Sequence, residues 1–209
     1  MTTLKYFERG MTQDEVRILL TAQMGDRERA YYRALYETFY RAQELLKCDI
    51  EDYNNKTGEL VARHTKRKYN PRTKETITEP PKHMIISPVT MRLFSKVIRH
   101  RKKGPIFINR KGTRLSIRYL QQHIGDLALS LGIQKTTHIT TTERMYSLVT
   151  LKALREAGER HTDLGGADYE TTAKAAQHSL RVKEKHYKKT PWVEIQETIR
   201  RHHPAFKES

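Results

Sequence analysis

Cysteine is nearly absent: Cys48 stands alone in a chain of 209 residues. No intrachain disulfide can form, and a reducing cytoplasm fits that composition. No run of about 18 apolar residues occurs, and the first twenty residues lack the apolar stretch of a secretory signal, so nothing reads as a membrane span or leader. A glycine-rich phosphate loop of the G-x-x-x-x-G-K-[ST] type is missing, which disfavours a nucleotide-driven enzyme. The ten histidines form no close ligand set with cysteine or carboxylates, so no structural zinc and no metal cofactor are expected. Acid is also short, with 24 Asp and Glu against 40 Lys and Arg.

The resulting formal charge is +16 and the pI about 9.9. A polyanion is the partner such a charge selects, because it raises encounter rates with nucleic acid and gives salt-sensitive affinity. The basic residues are clustered: Arg63, Lys66, Arg67, Lys68, Arg72 and Lys74 in one stretch, Arg99 to Lys103 in a second, Arg110 to Arg118 with Arg114 in a third. Clusters spread along the chain suggest a surface that tracks a long backbone. With 36% hydrophobic residues the chain can bury one core, and residues 1–209 read as a single domain without repeats or low-complexity linkers.

Thr12-Gln-Asp-Glu15 is a capping box that opens a helix over about 12–24. Asp26 opens a second helix, with Ala30, Leu35, Phe39, Ala42, Leu45 and Leu46 at helical spacing and Arg41 late on it. After Gly58 the period changes. Residues 60–65, 75–78 and 84–86 are β-type segments around a turn at Tyr69-Asn-Pro-Arg72, which gives a small three-stranded antiparallel sheet with Lys66 and Lys68 near its tip. Helices over 89–100 and 116–131 follow, separated by a short Ile106-Phe-Ile108 segment and a turn at Lys111-Gly112. From Thr142 onward the chain reads as helical, broken at Gly158, Gly165-Gly166 and Pro191.

Near the C-terminus stand Gln177-His178-Ser179 and, nine positions after His178, Tyr187 in the basic run Arg181-Val-Lys183-Glu-Lys185-His186-Tyr187-Lys188-Lys189. A phenol of pKa about 10 is a poor nucleophile. Neighbouring cations favour its anion and also attract the phosphates it would attack. Taken alone, Tyr187 reads first as an ordinary tyrosine of an amphipathic helix, and other segments have to decide.

The order of these pieces resembles the catalytic domain of the tyrosine recombinase (phage integrase) family over nearly the whole chain. Thr38-Phe-Tyr-Arg41-Ala-Gln-Glu44-Leu-Leu is similar to the family's T-G-L-R-x-S-E-L-L segment, and residues 105–116 to its L-F-P-S-x-x-G-x-x-L-S strand and turn. Arg155 lies 23 positions before His178 and 32 before Tyr187, the family's spacing for its second arginine, and Gly166-Ala-Asp168 falls where the family often has the same residues. The block Lys152-Ala-Leu-Arg155 is then a K-x-x-R variant of the usual H-x-x-R, similar to that of some archaeal viral integrases. Phe39-Tyr40 in place of Gly-Leu, and Ala176-Gln177 in place of Leu-Gly, depart from the pattern.

The resemblance implies an α+β, mostly helical fold and a site-specific recombinase or integrase. In that reading Arg41 and Arg155 clamp a phosphate, Lys66 (with Lys68 as its rival) protonates the leaving 5′-oxygen, Lys152 and His178 assist, and Tyr187 attacks to give a 3′-phosphotyrosyl intermediate without cofactor. Double-stranded DNA is the implied partner, with Arg63, Arg67, Lys68, Arg72, Arg114, Arg181 and Lys183 as backbone contacts. About forty residues precede Arg41, so the family's N-terminal DNA-clamping domain is expected to be absent. The apolar face of Trp192, Val193, Ile195 and Ile199 within 190–209 is a candidate contact between protomers of a homo-oligomer on DNA, or packs on its own domain. A type IB topoisomerase-like strand nicker, and a non-catalytic DNA-binding regulator of the same fold, are the alternative functions.

Overall fold

Thr12 opens the first helix through both halves of its capping box: its hydroxyl accepts from the Glu15 amide, and its own amide donates to Glu15. The structure is a computed structural model that describes residues 10–63, 67–70, 75–78, 80–134, 136–138, 145–176 and 192–207. Helix α1 (Gln13–Thr21) buries Val16, Leu19 and Leu20. Helix α2 (Asp26–Thr38) runs through the centre, with Ala30, Tyr31, Tyr32, Ala34 and Leu35 wholly removed from solvent.

The helix expected to continue to Leu46 stops at Phe39, whose backbone is left-handed (φ 54°, ψ 19°), and a short helix α3 (Ala42–Leu46) begins after Arg41. A left-handed residue other than glycine costs about 1–2 kcal/mol. Burial of the Phe39 ring, 5.7 Å from that of His203, offsets it.

Strands β1 (Glu59–Ala62), β2 (Arg67–Asn70), β3 (Glu75–Thr78) and β4 (Lys82–Ile85) pair antiparallel, β1 with β4 and β2 with β3. Among the described residues they form two two-stranded sheets, where one three-stranded sheet was expected. In these pairings Ala62 opposes Lys82 and Arg67 opposes Thr78. Helix α4 (Pro88–Ile98) starts at the Ser87 cap with proline in its first turn, and α5 (Ile117–Ser130) at the Ser116 cap.

The helical expectation for the chain after Thr142 fails at Met145–Ser147. Strands β5 (Thr136–His138) and β6 (Met145–Ser147) pair antiparallel, in a stretch whose β-branched threonines favour extended backbone. Helix α6 (Leu151–Leu164) then passes through Gly158 without a break. A Cβ at Gly158 would lie 2.0 Å from the Tyr36 carbonyl oxygen, so this glycine lets α6 press on α2. Helix α7 (Tyr169–Ala176), helix α8 (Trp192–His202) and a 3-10 turn (Pro204–Phe206) complete the chain, with Ile195 and Ile199 of α8 buried against their own domain. The fold is α+β and mostly helical, and no helix among the described residues is long and apolar enough to cross a membrane.

Candidate active site at the α2–α3 turn

The left-handed turn at Phe39 brings Arg41 to the mouth of a buried charge cluster. Arg41 caps α3, and Glu44 accepts from it twice: its Oε2 takes the Arg41 backbone N–H at 2.8 Å, and its Oε1 takes Nη1 at 2.6 Å. The Arg41 side chain keeps 32% of its surface open while Glu44 keeps 4%. Behind them Lys82 of β4, wholly buried, donates to Glu44 Oε2 at 2.8 Å.

Burial alone would raise the Glu44 pKa. The Lys82 ammonium and the donors of Arg41 more than offset it and hold the carboxyl below its usual range. Burial pulls Lys82 down from the ordinary lysine value and Glu44 opposes it, while the charges of Arg41 and Arg155 add to the fall. The charges of Arg41 and Arg155 therefore both reach Lys82.

Arg155 reaches this cluster from α6. Its Nε donates to the Phe39 carbonyl at 2.6 Å, its Nη2 to the Ala176 carbonyl at 3.0 Å, and Glu159 lies 3.1 Å from Nη2. One buried guanidinium thus fastens the α2–α3 turn to the last residue of α7, two positions before His178 in the chain. The rigid, planar fork of donors on an arginine suits it to two carbonyls and a carboxylate spread around it.

The other expected site residues divide into those placed elsewhere and those lying outside the described residues. Lys152 shares α6 with Arg155, but its exposed ammonium faces Glu156 at 3.5 Å. Lys66, His178 and Tyr187 lie outside the described residues, as do Arg72, Arg181 and Lys183. Arg67 and Lys68 belong to β2, with Lys68 opposite Ile77. Arg63 is exposed and paired with Asp52 at 2.6 Å. Arg114 is turned inward: it donates to the Leu46 carbonyl at 2.7 Å and to Asp49 at 2.6 Å, closing the end of α3. Among the described residues no group of three His, Cys, Asp or Glu could hold a metal ion.

Two residues of the cluster carry roles that composition and motif do not announce. Glu44 appears in sequence only as one letter of the Thr38–Leu46 segment, yet it is the buried hub. Lys82 has one faint signal: by strand alternation it shares a face with Met84, a core residue.

No family model and no curated protein matches the chain. Solved structures do. The XerA recombinase superposes over 96% of this chain and 61% of its own, with a TM-score of 0.63 and 17% identity. The integrase from mycobacterium phage Brujita covers 97% and 61%, with a TM-score of 0.64 and 13% identity. The Tn1549 transposon integrase in complex with transposon right end DNA covers 92% and 65%, with a TM-score of 0.60 and 13% identity. The chain therefore has the fold of a tyrosine recombinase catalytic domain, and spans less than two thirds of the length of these structures.

Proposed function

We propose that this chain is a tyrosine-type site-specific DNA recombinase or integrase, acting through residues 1–209 as its catalytic domain. The observation that carries the reading is the pairing of Arg41, opened to solvent from a buried carboxylate, with a buried Arg155 that ties the same turn to the segment entering His178, on a fold shared with recombinases.

Cleavage proceeds by in-line attack. The Tyr187 phenolate oxygen forms a bond to the scissile phosphorus, the bond from phosphorus to the 5′-oxygen breaks, and that oxygen takes a proton from Lys66 or its rival Lys68. Arg41 and Arg155 stabilise charge on the non-bridging oxygens, where each preorganised donor is worth on the order of 3 kcal/mol. Lys152 stands in the K-x-x-R block where histidine is commoner, resembling archaeal viral integrases, and must leave Glu156 to act with His178 on the phosphate. The phosphotyrosyl bond conserves the energy of the broken one, so a 5′-hydroxyl of another strand reverses the step without ATP or metal.

The +16 charge supplies the attraction to duplex DNA, and strand exchange requires several protomers on it. Incubation with a nicked suicide duplex should leave a covalent protein–DNA band on a denaturing gel, and Tyr187→Phe should bind the duplex without forming it. A wild-type-level adduct in that variant removes Tyr187 from the role. Exchange between two duplexes separates recombinase from topoisomerase, and absence of any adduct leaves a DNA-binding regulator.

A further inference from the structure

The buried lysine is the feature that the phosphate clamp does not by itself require. Lys82 is wholly buried, and its ammonium meets Glu44 Oε2 at 2.8 Å and lies 5.9 Å from the centre of the Tyr40 ring. Its backbone is pinned as well, because the Tyr40 hydroxyl donates to the Lys82 carbonyl at 2.8 Å and to the Leu60 carbonyl. Removing an ammonium from water costs several kcal/mol, and a buried ion pair returns little of it compared with apolar residues of the same volume. Stability is therefore a weak reason for a lysine here, and what the pair does contribute is geometry.

Glu44 has two oxygens to distribute. Oε2 is occupied by Lys82 and by the Arg41 amide, so the carboxylate meets the Arg41 guanidinium through Oε1. Without the ammonium, only the Arg41 amide still holds Oε2, and the carboxylate can turn to take the guanidinium by both oxygens, the preferred arrangement for arginine and carboxylate. That turn draws Arg41 inward. We propose that Lys82 is a positioning residue for the phosphate clamp: by holding one oxygen of Glu44 it prevents that carboxylate from chelating Arg41, and so fixes where the Arg41 guanidinium stands. The role rests on the recombinase reading, since it acts on the rate of phosphoryl transfer through Arg41.

A misplacement of about 1 Å in a clamping group can cost on the order of a hundredfold in rate. Single-turnover cleavage of the suicide duplex at saturating DNA should fall by about that factor in Lys82→Met, with the DNA dissociation constant little changed. In an Arg41→Ala background, followed over long incubations, Lys82→Met should cause no additional loss, because the two act through one group. If Lys82→Met folds poorly, the neutral pair Glu44→Gln with Lys82→Met removes the buried charges together; it should regain melting temperature and remain slow. A Lys82→Met or double variant that cleaves at the wild-type rate overturns the positioning role while leaving the recombinase reading standing. Equal rate losses from Lys82→Met in both backgrounds overturn it too. A wild type that forms no adduct overturns the recombinase reading and the positioning role with it.

Discussion

At the scale of single residues, two positions among the described residues have positive φ without being glycine, and burial decides what each is worth. Phe39 (φ 54°) ends α2 with its ring fully buried, and Arg99 (φ 55°) ends α4 with its side chain exposed. Both pay strain of about 1–3 kcal/mol. Arg99→Gly should therefore stabilise the protein by about 1 kcal/mol, since relief of strain exceeds the entropy that glycine restores to the unfolded chain. Phe39→Gly relieves the same strain but empties a core slot beside His203, and large-to-small changes of a buried phenylalanine cost about 3–5 kcal/mol. The expected net is a loss of about 2–3 kcal/mol in chemical unfolding, and a Phe39→Gly variant as stable as wild type would refute this account of the turn. The comparison also explains why phenylalanine can stand where the T-G-L-R pattern has glycine: the ring holds the backbone that glycine would adopt freely.

At the scale of elements, the sequence is most informative where a periodic apolar face coincides with a cap. Helices α1, α4 and α5 begin within one residue of their expected starts because Thr12, Ser87 and Ser116 punctuate them. Arg41 and Arg155 were legible through motif spacing, and the structure brings both to the α2–α3 turn. Lys82 was not, because a lysine followed by one strand's worth of apolar residues reads the same whether its head is in water or paired inside. Gly158 failed for a related reason: glycine breaks a helix by default, and only the neighbouring helix shows that its missing Cβ is a contact surface. Gly158→Ala places a methyl group 2.0 Å from the Tyr36 carbonyl oxygen of α2, which cannot yield as a side-chain tip would. Helix propensity favours the alanine by about 1 kcal/mol, while overpacking against backbone costs up to about 3 kcal/mol or more. The variant should unfold at lower urea concentration by an amount equal to a loss of about 2 kcal/mol, and a gain in stability would show that α2 and α6 do not touch there.

At the scale of the whole molecule, two buried histidines tie the chain's N-terminal and C-terminal parts to the central helix. His161 of α6 donates from Nε2 to the Met11 carbonyl and accepts the Tyr36 hydroxyl at Nδ1; His203 donates from Nε2 to the Tyr36 carbonyl and accepts the Ala205 amide at Nδ1. Each ring uses one nitrogen as donor and one as acceptor, so both are neutral when folded and protonation removes an acceptor. Burial is the main cause that pushes His161 down to about 4, with the Arg160 charge beside it. Burial likewise pushes His203 down to about 3, with His161 and Arg33 contributing. The unfolded chain, with histidine near 6.5, binds these protons first as the solution is acidified. The stability the two rings contribute is thus complete above pH about 6.5 and declines as pH falls toward the folded values. Glu44, held below its ordinary range, acts in the same sense at lower pH. Melting temperature should therefore drop between pH 6.5 and 4, and His203→Gln, whose amide can both accept and donate without titrating, should flatten that part of the profile. An unchanged slope in His203→Gln would mean that the C-terminal turn leaves its seat on α2 before the ring is protonated.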